Sequence, residues 1–413
     1  MIKRRLFQDL KNHSAAREIS LIIGPRQVGK TTLMKELENH LKQQGERTIF
    51  LNLDFETDKP FFASQESLVR KLDLELGKKP GFVFIDEIQR KENAGLFLKG
   101  IYDLNLPYKF IASGSGSLEL KEKIHESLAG RKRLFKLNPI GFGEFSDFKT
   151  EYRYSEKLND FFAVEQKRGL HLFSDYLNFG GYPRVILEEK LSEKIRTIDE
   201  IFRSYIEKDI AYLLGIERSD VFGSLIKILA SQCGQILKYS KLAKEAGVSV
   251  STLKNYLWYA EKTFSIRTIT PFFRNKRKEI TKSPMVYFYD LGLRNFAIGL
   301  FGNLNQPNQL GFVFQNFVAN ELAERISFTS RELHFWRTLD KAEVDFVISE
   351  GEAVMPIEAK YARLKKPELS RSLRNFINRY QPAEARVINL SLREKVKVGK
   401  TAVRFVPFYD FQI

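Results

Sequence analysis

The sequence has little cysteine and no long apolar run, and each absence excludes a class of protein. Its single cysteine, Cys233, cannot form a disulfide within the chain, which is typical of proteins in a reducing compartment. Uninterrupted apolar runs such as 82–85, 210–214 and 285–289 are too short to cross a membrane. The first ten residues lack the apolar stretch of a signal peptide. We therefore expect a cytoplasmic protein with no membrane partner.

Acidic residues are outnumbered by basic ones. The chain has 67 Lys and Arg against 51 Asp and Glu, which gives a formal net charge of +16. Such an excess favours a polyanionic partner, and nucleic acid is the common one. The alternative is a solvated basic surface on a protein that never meets DNA.

The pattern of apolar residues changes along the chain and divides it into segments. The first segment alternates short apolar runs with helical stretches, as βα units do, and each run fits a buried parallel strand. These runs are 19–23, 48–53, 82–85 and 108–112. Because 413 residues exceed one ordinary core, we expect several domains. The predicted boundaries are 1–150 (α/β), 151–235 (helical), 236–300 (helix-turn-helix) and 301–413 (a small α/β domain).

Residues 24–31 match the pattern G-x-x-x-x-G-K-[ST] of a phosphate-binding loop. They follow the run 19–23 and open a helical stretch, so backbone N–H groups and a helix N-terminus would face the phosphates. Lys30 is expected to reach the β- and γ-phosphates of ATP and Thr31 to bind Mg²⁺. The predicted ATP-binding residues are Gly24, Pro25, Arg26, Gln27, Val28, Gly29, Lys30, Thr31 and Thr32.

A second apolar run ends in Asp86 and Glu87, where strand ends open into a ligand crevice. We expect Asp86 to hold Mg²⁺ through water and Glu87 to polarise the water that attacks the γ-phosphate. The alternative is that the two acids cap a helix. A further run precedes Ser113 and Ser115, which are predicted to sense hydrolysis, unless they belong to an ordinary Ser/Gly loop.

Arg131 is a candidate arginine finger that would act on the γ-phosphate of a neighbouring subunit. Arg133 competes for this role, and a plain surface arginine is the other alternative. An arginine finger would require a homo-oligomer.

Taken together, these motifs resemble a prokaryotic AAA-type P-loop ATPase family. Its members carry an uncharacterised C-terminal region with a winged helix and a nuclease-like fold. The resemblance covers nearly the whole chain and implies ATP and Mg²⁺ as cofactors, a helical lid over 151–235, and a sensor role for Arg184. The motifs that carry it are 24–32, 84–89, 113–115, 127–131 and 180–183.

Residues 239–249 have the pattern of a helix-turn-helix, with Gly247 in the turn. Ser240 and Ser249 are the predicted N-caps of its two helices. Strand-like stretches at 264–271 and 286–289 would supply a wing. If this winged helix binds DNA, its second helix would face the bases and the wing would face phosphates; the alternative is a lid or a protein contact. The candidate DNA contacts are Ser251, Lys254, Arg274, Lys276, Arg277 and Lys278.

The C-terminal segment contains Asp345 in one apolar stretch and Glu358-Ala-Lys360 at the end of the next. This spacing resembles the PD-(D/E)XK nuclease pattern, in which two acids share a metal ion and a lysine faces the same side. Gln315 stands where many active nucleases place an acid, and an amide is a weaker ligand for Mg²⁺. The alternative interpretation is a solvated ion pair at a sheet edge.

The sequence therefore predicts an α/β protein with an AAA/RecA-like parallel sheet core, a helical lid, a winged helix and a PD-(D/E)XK-like domain. The leading hypothesis is an ATPase whose nucleotide-driven conformational change acts on nucleic acid, DNA rather than RNA. One alternative is a nucleotide-dependent switch or scaffold for protein partners. The other is an ATP-gated, Mg²⁺-dependent endonuclease.

Overall fold

The computed structural model describes residues 1–115, 128–205, 219–274 and 282–411. Its N-terminal part is a five-stranded parallel sheet in the order β2-β3-β4-β1-β5. The strands are β1 (Ile19–Gly24), β2 (Thr48–Asn52), β3 (Gly81–Asp86), β4 (Tyr108–Ser115) and β5 (Lys132–Lys136). The four apolar runs that were predicted as strands are confirmed, and this sheet has the P-loop AAA fold. The edge strand β5 was not predicted, because its sequence Lys-Arg-Leu-Phe-Lys contains few apolar residues.

Helices cover both faces of this sheet, because the apolar side chains of its buried strands point alternately to each side. The helices of this part are α1 (Leu6–Asn12), α2 (Lys30–Gln43), α3 (Gln65–Leu76) and α4 (Ala94–Asp103). A helical layer follows: α5 (Phe142–Lys149), α6 (Leu158–Val164), α7 (Gln166–Phe179), α8 (Pro183–Leu187), α9 (Leu191–Ser204) and α10 (Ser219–Ser231).

The second half of the chain forms a mixed eight-stranded sheet in the order β12-β13-β11-β10-β9-β8-β6-β7. The strands are β6 (Ile266–Pro271), β7 (Met285–Phe288), β8 (Glu332–Arg337), β9 (Glu343–Glu350), β10 (Ala353–Ala359), β11 (Glu384–Asn389), β12 (Glu394–Val398) and β13 (Thr401–Pro407). The helices are α11 (Tyr239–Glu245), α12 (Val250–Lys262), α13 (Leu291–Ala297), α14 (Pro307–Arg325) and α15 (Arg371–Tyr380).

The two strands of the predicted wing belong to this second sheet. β6 and β7 pair in antiparallel fashion, and β6 also pairs in parallel with β8 through Thr270 and His334. The predicted boundary at residue 300 therefore does not separate two sheets. A wing edge left unpaired would expose backbone donors and acceptors, and pairing with β8 satisfies them.

One continuous core joins the two halves. A single cluster of buried side chains extends from Ile2 to Phe411. At its centre Phe173 of α7 stacks on Phe408 with ring centroids 3.9 Å apart, and Phe142 of α5 contacts Phe317 of α14 edge-on at 5.7 Å. The predicted segments 1–150, 151–235 and 301–413 thus share apolar contacts.

Among the residues that the structure describes, no helix combines the length and apolar character needed to cross a membrane.

Candidate functional site

The phosphate-binding loop connects the end of β1 to the start of α2. Gly29 has φ +93° and Gln27 has φ 60°, so the backbone turns through the left-handed region twice before Lys30 begins the helix. That conformation favours glycine at 29. Gly24 is needed for a different reason, since a Cβ there would overlap the carbonyl oxygen of Leu137. The two glycines of the motif therefore serve a turn and a close strand contact.

Lys30 is buried, and its ammonium stays within the loop. Its Nζ donates to the carbonyl oxygens of Gly24 at 3.1 Å and of Pro25 at 2.8 Å. These carbonyls hold the positive charge at the start of α2, where the N-terminus of the helix also favours an anion.

Asp86 is fully buried at the end of β3 and accepts several hydrogen bonds. The Thr31 hydroxyl donates to Asp86 Oδ2 at 2.7 Å, the Ser113 hydroxyl donates to Asp86 Oδ1, and the Glu87 backbone N–H donates to Oδ1 at 3.1 Å. Asn52 Nδ2 adds a longer contact of 3.4 Å to Oδ2. The start of α2 and the ends of β2, β3 and β4 thus all send polar groups to one carboxylate.

These oxygens suit Mg²⁺. Thr31 and Asp86 offer a hydroxyl and a carboxylate, the hard ligands that Mg²⁺ takes together with phosphate oxygens and water. Within the described ranges no group of three or more His, Cys, Asp or Glu is placed to hold a metal ion. A magnesium ion at this site would therefore depend on a bound nucleotide for its remaining ligands.

Glu87 has φ 57°, the left-handed conformation that side chains other than glycine seldom adopt. This conformation directs its side chain into the cavity beside the loop, where it accepts a hydrogen bond from the Gln89 amide. The Gln89 carbonyl oxygen in turn accepts from the Ser115 backbone N–H at 3.2 Å. Strain of this kind is typical of functional sites.

The two serines predicted as sensors have different contacts. Ser113 touches Asp86 through its hydroxyl, whereas Ser115 reaches Gln89 through its backbone. Sequence reasoning did not assign a role to Gln89 or Asn52. Asn52 ends β2 and Gln89 lies just after β3, and these positions at strand ends are the signal that would have identified them.

A cavity of about 480 Å³ lies over the loop, with Lys30, Thr31 and Glu87 in its wall. The opposite wall includes Ile2 of the N-terminal segment and Leu187 of α8. Its size fits a small-molecule ligand of nucleotide class.

Two arginines in the walls of this cavity form hydrogen bonds with the phosphate-binding loop. Arg184 Nη1 donates to Gln27 Oε1 at 2.9 Å, and its Nη2 pairs with Glu200 at the same distance. Arg4 donates to the Val28 carbonyl oxygen at 3.0 Å and pairs with Glu144 at 3.2 Å. Arg184 was a candidate from the sequence; Arg4 was not, because a lone basic residue near the start of a chain carries no pattern.

The Gly180-Gly181 turn precedes α8 and contacts both halves of the molecule. The Gly181 carbonyl accepts from the Ile140 N–H at 2.7 Å, and its own N–H donates to the Asp290 carboxylate at 2.6 Å. A Cβ on Gly181 would overlap the Ile140 carbonyl oxygen. Burial raises the pKa of Asp290 to about 6. This turn therefore links the wall of the cavity to the N-cap of α13.

Arg131 lies just before β5, at the amino edge of the sheet, whereas the phosphate-binding loop follows the carboxyl end of β1. Its guanidinium pairs with Asp103 of the same chain at 2.8 Å. Arg131 is therefore remote from the loop of its own chain. Ser127, which belongs to the same motif, lies outside the described residues.

The helix-turn-helix is formed by α11 and α12. The Ser249 side chain caps α12 by accepting from the Thr252 N–H at 3.0 Å. The prediction for Ser240 was wrong, because α11 begins one residue earlier, at Tyr239, and has no side-chain cap. Ser251 and Lys254 are exposed on α12.

Arg274, a predicted DNA contact of the wing, lies near α15. The Arg274 guanidinium lies 5.7 Å from the ring of Tyr380 in α15. Lys276, Arg277 and Lys278 lie outside the described residues.

Asp345 and Glu358 lie on the paired strands β9 and β10, one step beyond the register pair Phe346–Ile357. Asp345 accepts from the Gln315 amide at 3.0 Å and from the Ala359 N–H at 2.8 Å. Removal from water, followed by the nearby charge of Glu358, raises the pKa of Asp345 to about 7 despite the Ala359 hydrogen bond.

Glu358 is buried beside these groups. Its Oε1 accepts from the Ser370 hydroxyl, and its Oε2 lies 3.6 Å from Lys360 Nζ. Asp345, Glu358, Lys360 and Gln315 are thus brought together, and the amide of Gln315 occupies one oxygen of Asp345.

Three family models match separate parts of the chain. An AAA domain matches residues 16–146, and domains of unknown function match residues 170–304 (DUF8612) and 310–410 (DUF4143).

Among curated proteins, an uncharacterized protein of Mycobacterium tuberculosis is 26% identical over 373 residues, covering 90% of this chain and 76% of that protein. An uncharacterized protein of Haemophilus influenzae is also 26% identical, over 83% of this chain and 82% of its own length.

Similar solved structures include Cdc6p from Pyrobaculum aerophilum, with a TM-score of 0.31 and 12% identity over 73% of this chain and 96% of that chain. The replication initiator DnaA bound to AMPPCP and single-stranded DNA gives a TM-score of 0.28 and 15% identity, over 63% and 90%. The family assignment by sequence is thus an AAA domain for residues 16–146, with domains of unknown function matching 170–304 and 310–410.

Proposed function

We propose that this chain binds ATP with Mg²⁺ and hydrolyses it in the cavity over the phosphate-binding loop. The observation that carries the proposal is the convergence of Thr31, Ser113 and Glu87 on Asp86 beside that loop. A loop, a buried carboxylate and a second acid aimed into one cavity are the parts that phosphoryl transfer needs.

In this proposal Lys30 and the loop N–H groups hold the β- and γ-phosphates. Thr31 and Asp86 hold the Mg²⁺, which neutralises charge on the phosphate oxygens when it is bound. Glu87 orients a water molecule in line with the bond between the γ-phosphorus and its bridging oxygen. The water oxygen bonds to phosphorus as that bond breaks, the Glu87 carboxylate takes the proton that the water loses and later releases it to solvent, and ADP and inorganic phosphate leave. Gln89 fixes the Glu87 carboxylate, and Ser113, which donates to Asp86, transmits the presence or absence of nucleotide to β4.

We infer that hydrolysis is used to act on nucleic acid, DNA rather than RNA. The net charge of +16 and the helix-turn-helix of α11 and α12 support this. The helices over 151–235 would act as the lid that transmits the nucleotide state, since Arg184 contacts Gln27 of the loop. The competing proposal is a switch or scaffold whose C-terminal half binds protein.

We also propose that Arg131 acts on a second copy of the chain. Its place at the amino edge of the sheet, remote from its own loop, is where a finger acting in trans would lie. To act this way it would exchange Asp103 for the γ-phosphate of a neighbour.

Steady-state ATP hydrolysis, with and without duplex and single-stranded DNA, tests the main proposal. Lys30→Ala is expected to abolish turnover in every condition. Stimulation of the wild type by DNA at low salt, weakening at moderate salt, would support action on nucleic acid. Turnover that ignores DNA would favour the switch or scaffold. Absence of turnover in the wild type would overturn ATP hydrolysis itself.

A second candidate function is Mg²⁺-dependent cleavage of nucleic acid by the C-terminal domain. It is favoured by the meeting of Asp345, Glu358 and Lys360 at the ends of β9 and β10. Plasmid nicking with Mg²⁺ or Mn²⁺ tests it. Cleavage that is lost in Asp345→Ala and in Glu358→Ala would support a nuclease, and cleavage that survives in Glu358→Ala would assign it to a contaminant.

A further inference from the structure

We propose that nucleic acid phosphates bind to a basic surface on α15 and the loop before it, rather than to the helix-turn-helix. The α15 surface is defined by five residues: Arg363, Lys365, Arg371, Arg374 and Arg379. This inference rests on the proposed action on nucleic acid and assigns it to a particular part of the chain.

Helix α15 has one apolar face and one basic face. Leu373, Phe376 and Ile377 are buried against the second sheet. The exposed positions follow the helical repeat and carry only arginine and asparagine, and the helix contains no acidic residue. These exposed residues are Arg371, Arg374, Asn375, Asn378 and Arg379. Arginine forms paired hydrogen bonds to phosphate oxygens, and asparagine adds donors between them.

The loop before α15 is fixed at both ends to Glu358. Lys360 Nζ lies 3.6 Å from Glu358 Oε2 at the start of the loop, and the Ser370 hydroxyl donates to Glu358 Oε1 at its end. Leu364 and Leu369 pack against the core below. Anchored in this way, the loop presents Arg363 and Lys365 to solvent.

Basic residues predominate in this stretch. Residues 360–379 contain seven Lys and Arg and one acid, Glu368, which pairs with Lys366 at 3.0 Å. Across the described ranges Arg363, Lys365, Arg371 and Arg374 form no ion pair, so their charges are available to an external anion.

The wing contributes to the same surface. The guanidinium groups of Arg274 and Arg379 lie 5.7 and 5.5 Å from the Tyr380 ring. The Tyr380 hydroxyl also accepts from Trp336 Nε1 at 3.3 Å, which fixes the ring. Arg274, three residues after β6, therefore lies beside α15.

The α15 surface differs from the helix-turn-helix in the number of large apolar side chains that are exposed. On α12, Val250 is 38% exposed and Trp258 is 36% exposed, and these large apolar groups suit a protein contact. In the described part of the chain, no large apolar side chain between residues 360 and 380 is comparably exposed. Large apolar groups are typical of membrane-binding helices and of the centres of protein interfaces, whereas binding to a phosphate backbone depends mainly on charge.

Binding of a fluorescein-labelled 30-base-pair duplex, followed by anisotropy between 50 and 200 mM salt, tests the proposal on the full chain. We expect Arg371→Glu/Arg374→Glu to weaken binding at least tenfold and to lower the salt slope by about 2, because two phosphate contacts are lost. The neutral pair Arg371→Gln/Arg374→Gln should lie between this variant and the wild type. Basal ATP turnover without DNA should be unchanged in both, which shows that they are folded.

The matched control reverses two exposed charges on the helix-turn-helix, Lys244→Glu/Lys254→Glu, and should weaken binding much less. If that control loses affinity while the α15 variants bind like the wild type, the helix-turn-helix is the DNA surface and this inference is wrong. A wild type that hydrolyses ATP but binds no duplex at 50 mM salt would overturn both the α15 surface and the proposed action on DNA. The outcomes thus separate a failure of the surface from a failure of the function.

Discussion

The molecule has two buried carboxylate sites, one on an interior strand of each sheet, and their hydrogen-bond partners differ. Asp86 ends a parallel strand and accepts from the Thr31 and Ser113 hydroxyls and from the Glu87 N–H. Asp345 accepts from one amide and one backbone N–H, and it faces a second acid, Glu358.

The different surroundings of the two carboxylates suit them to different chemistry. Hydrogen bonds to a carboxylate favour its charged form, and a neighbouring acid in a buried site disfavours it. The first site gathers two hydroxyl donors and one backbone N–H around a single carboxylate beside the phosphate-binding loop. In the second, burial raises the pKa of Asp345 to about 7, so a proton competes with any metal ion near neutral pH.

The largest expected effect is on Glu87. Glu87→Gln removes the group that activates water, so ATP turnover should fall by about 10²- to 10⁴-fold. Nucleotide affinity, measured with a fluorescent ATP analogue, should change little. Glu36→Gln is the matched control, because Glu36 lines the same cavity without touching Asp86. Turnover of Glu87→Gln within tenfold of the wild type would mean that another group activates the water.

The next effect concerns the turn that joins the two halves. Gly181→Ala places a Cβ against the Ile140 backbone, so we expect a loss of about 1–3 kcal/mol in the free energy of unfolding. Urea denaturation measures it. Gly311→Ala is the control, since a Cβ there meets nothing within 4 Å and alanine favours a helix. Equal stability of the two variants would refute a close contact at Gly181.

Gln315→Glu would make the second site more like the first. A third carboxylate beside Asp345 and Glu358 should increase Mn²⁺ affinity at least tenfold, as measured by isothermal titration calorimetry. Without metal the variant should be less stable than the wild type, because three acids repel one another. Gln309→Glu on the same helix controls for added charge. Identical Mn²⁺ binding by wild type and variant would show that the amide is not what limits this site.

The smallest effect is a pH dependence at Asp290, a buried acid held by backbone donors. Burial raises its pKa from 3.8 to about 6, so the folded state retains a proton that the unfolded state has lost. Stability from this group is therefore present below pH 4 and is lost as pH rises to about 6. Between pH 5 and 7 the loss should be on the order of 1 kcal/mol.

Asp290→Asn cannot lose a proton and retains an acceptor for the N-cap, so its stability should lack this decline. Thermal unfolding of both proteins at pH 5, 6 and 7 gives the difference. Parallel curves for wild type and variant would place the titrating group elsewhere.

The first sheet and its site were largely predictable, because they depend on local patterns. Apolar runs predicted strands β1 to β4, and the spacing of Gly24, Gly29 and Lys30 predicted a phosphate-binding loop that the fold contains. Strand β5 was missed because three of its five residues are charged. The roles of Gln89 and Arg4 were missed because single polar residues acquire meaning only from their neighbours in space.

By itself the sequence determined four strands of the parallel sheet, the loop that opens α2 and the two acids at the end of β3, since strand and loop conformations follow from residues adjacent in the chain. Only the tertiary structure decided that the wing strands would join the C-terminal sheet, that Arg131 would pair with Asp103, and that Gln315 would cover Asp345. Those contacts join residues from 28 to more than 60 positions apart. Their free energies depend on burial and geometry, which no local pattern contains.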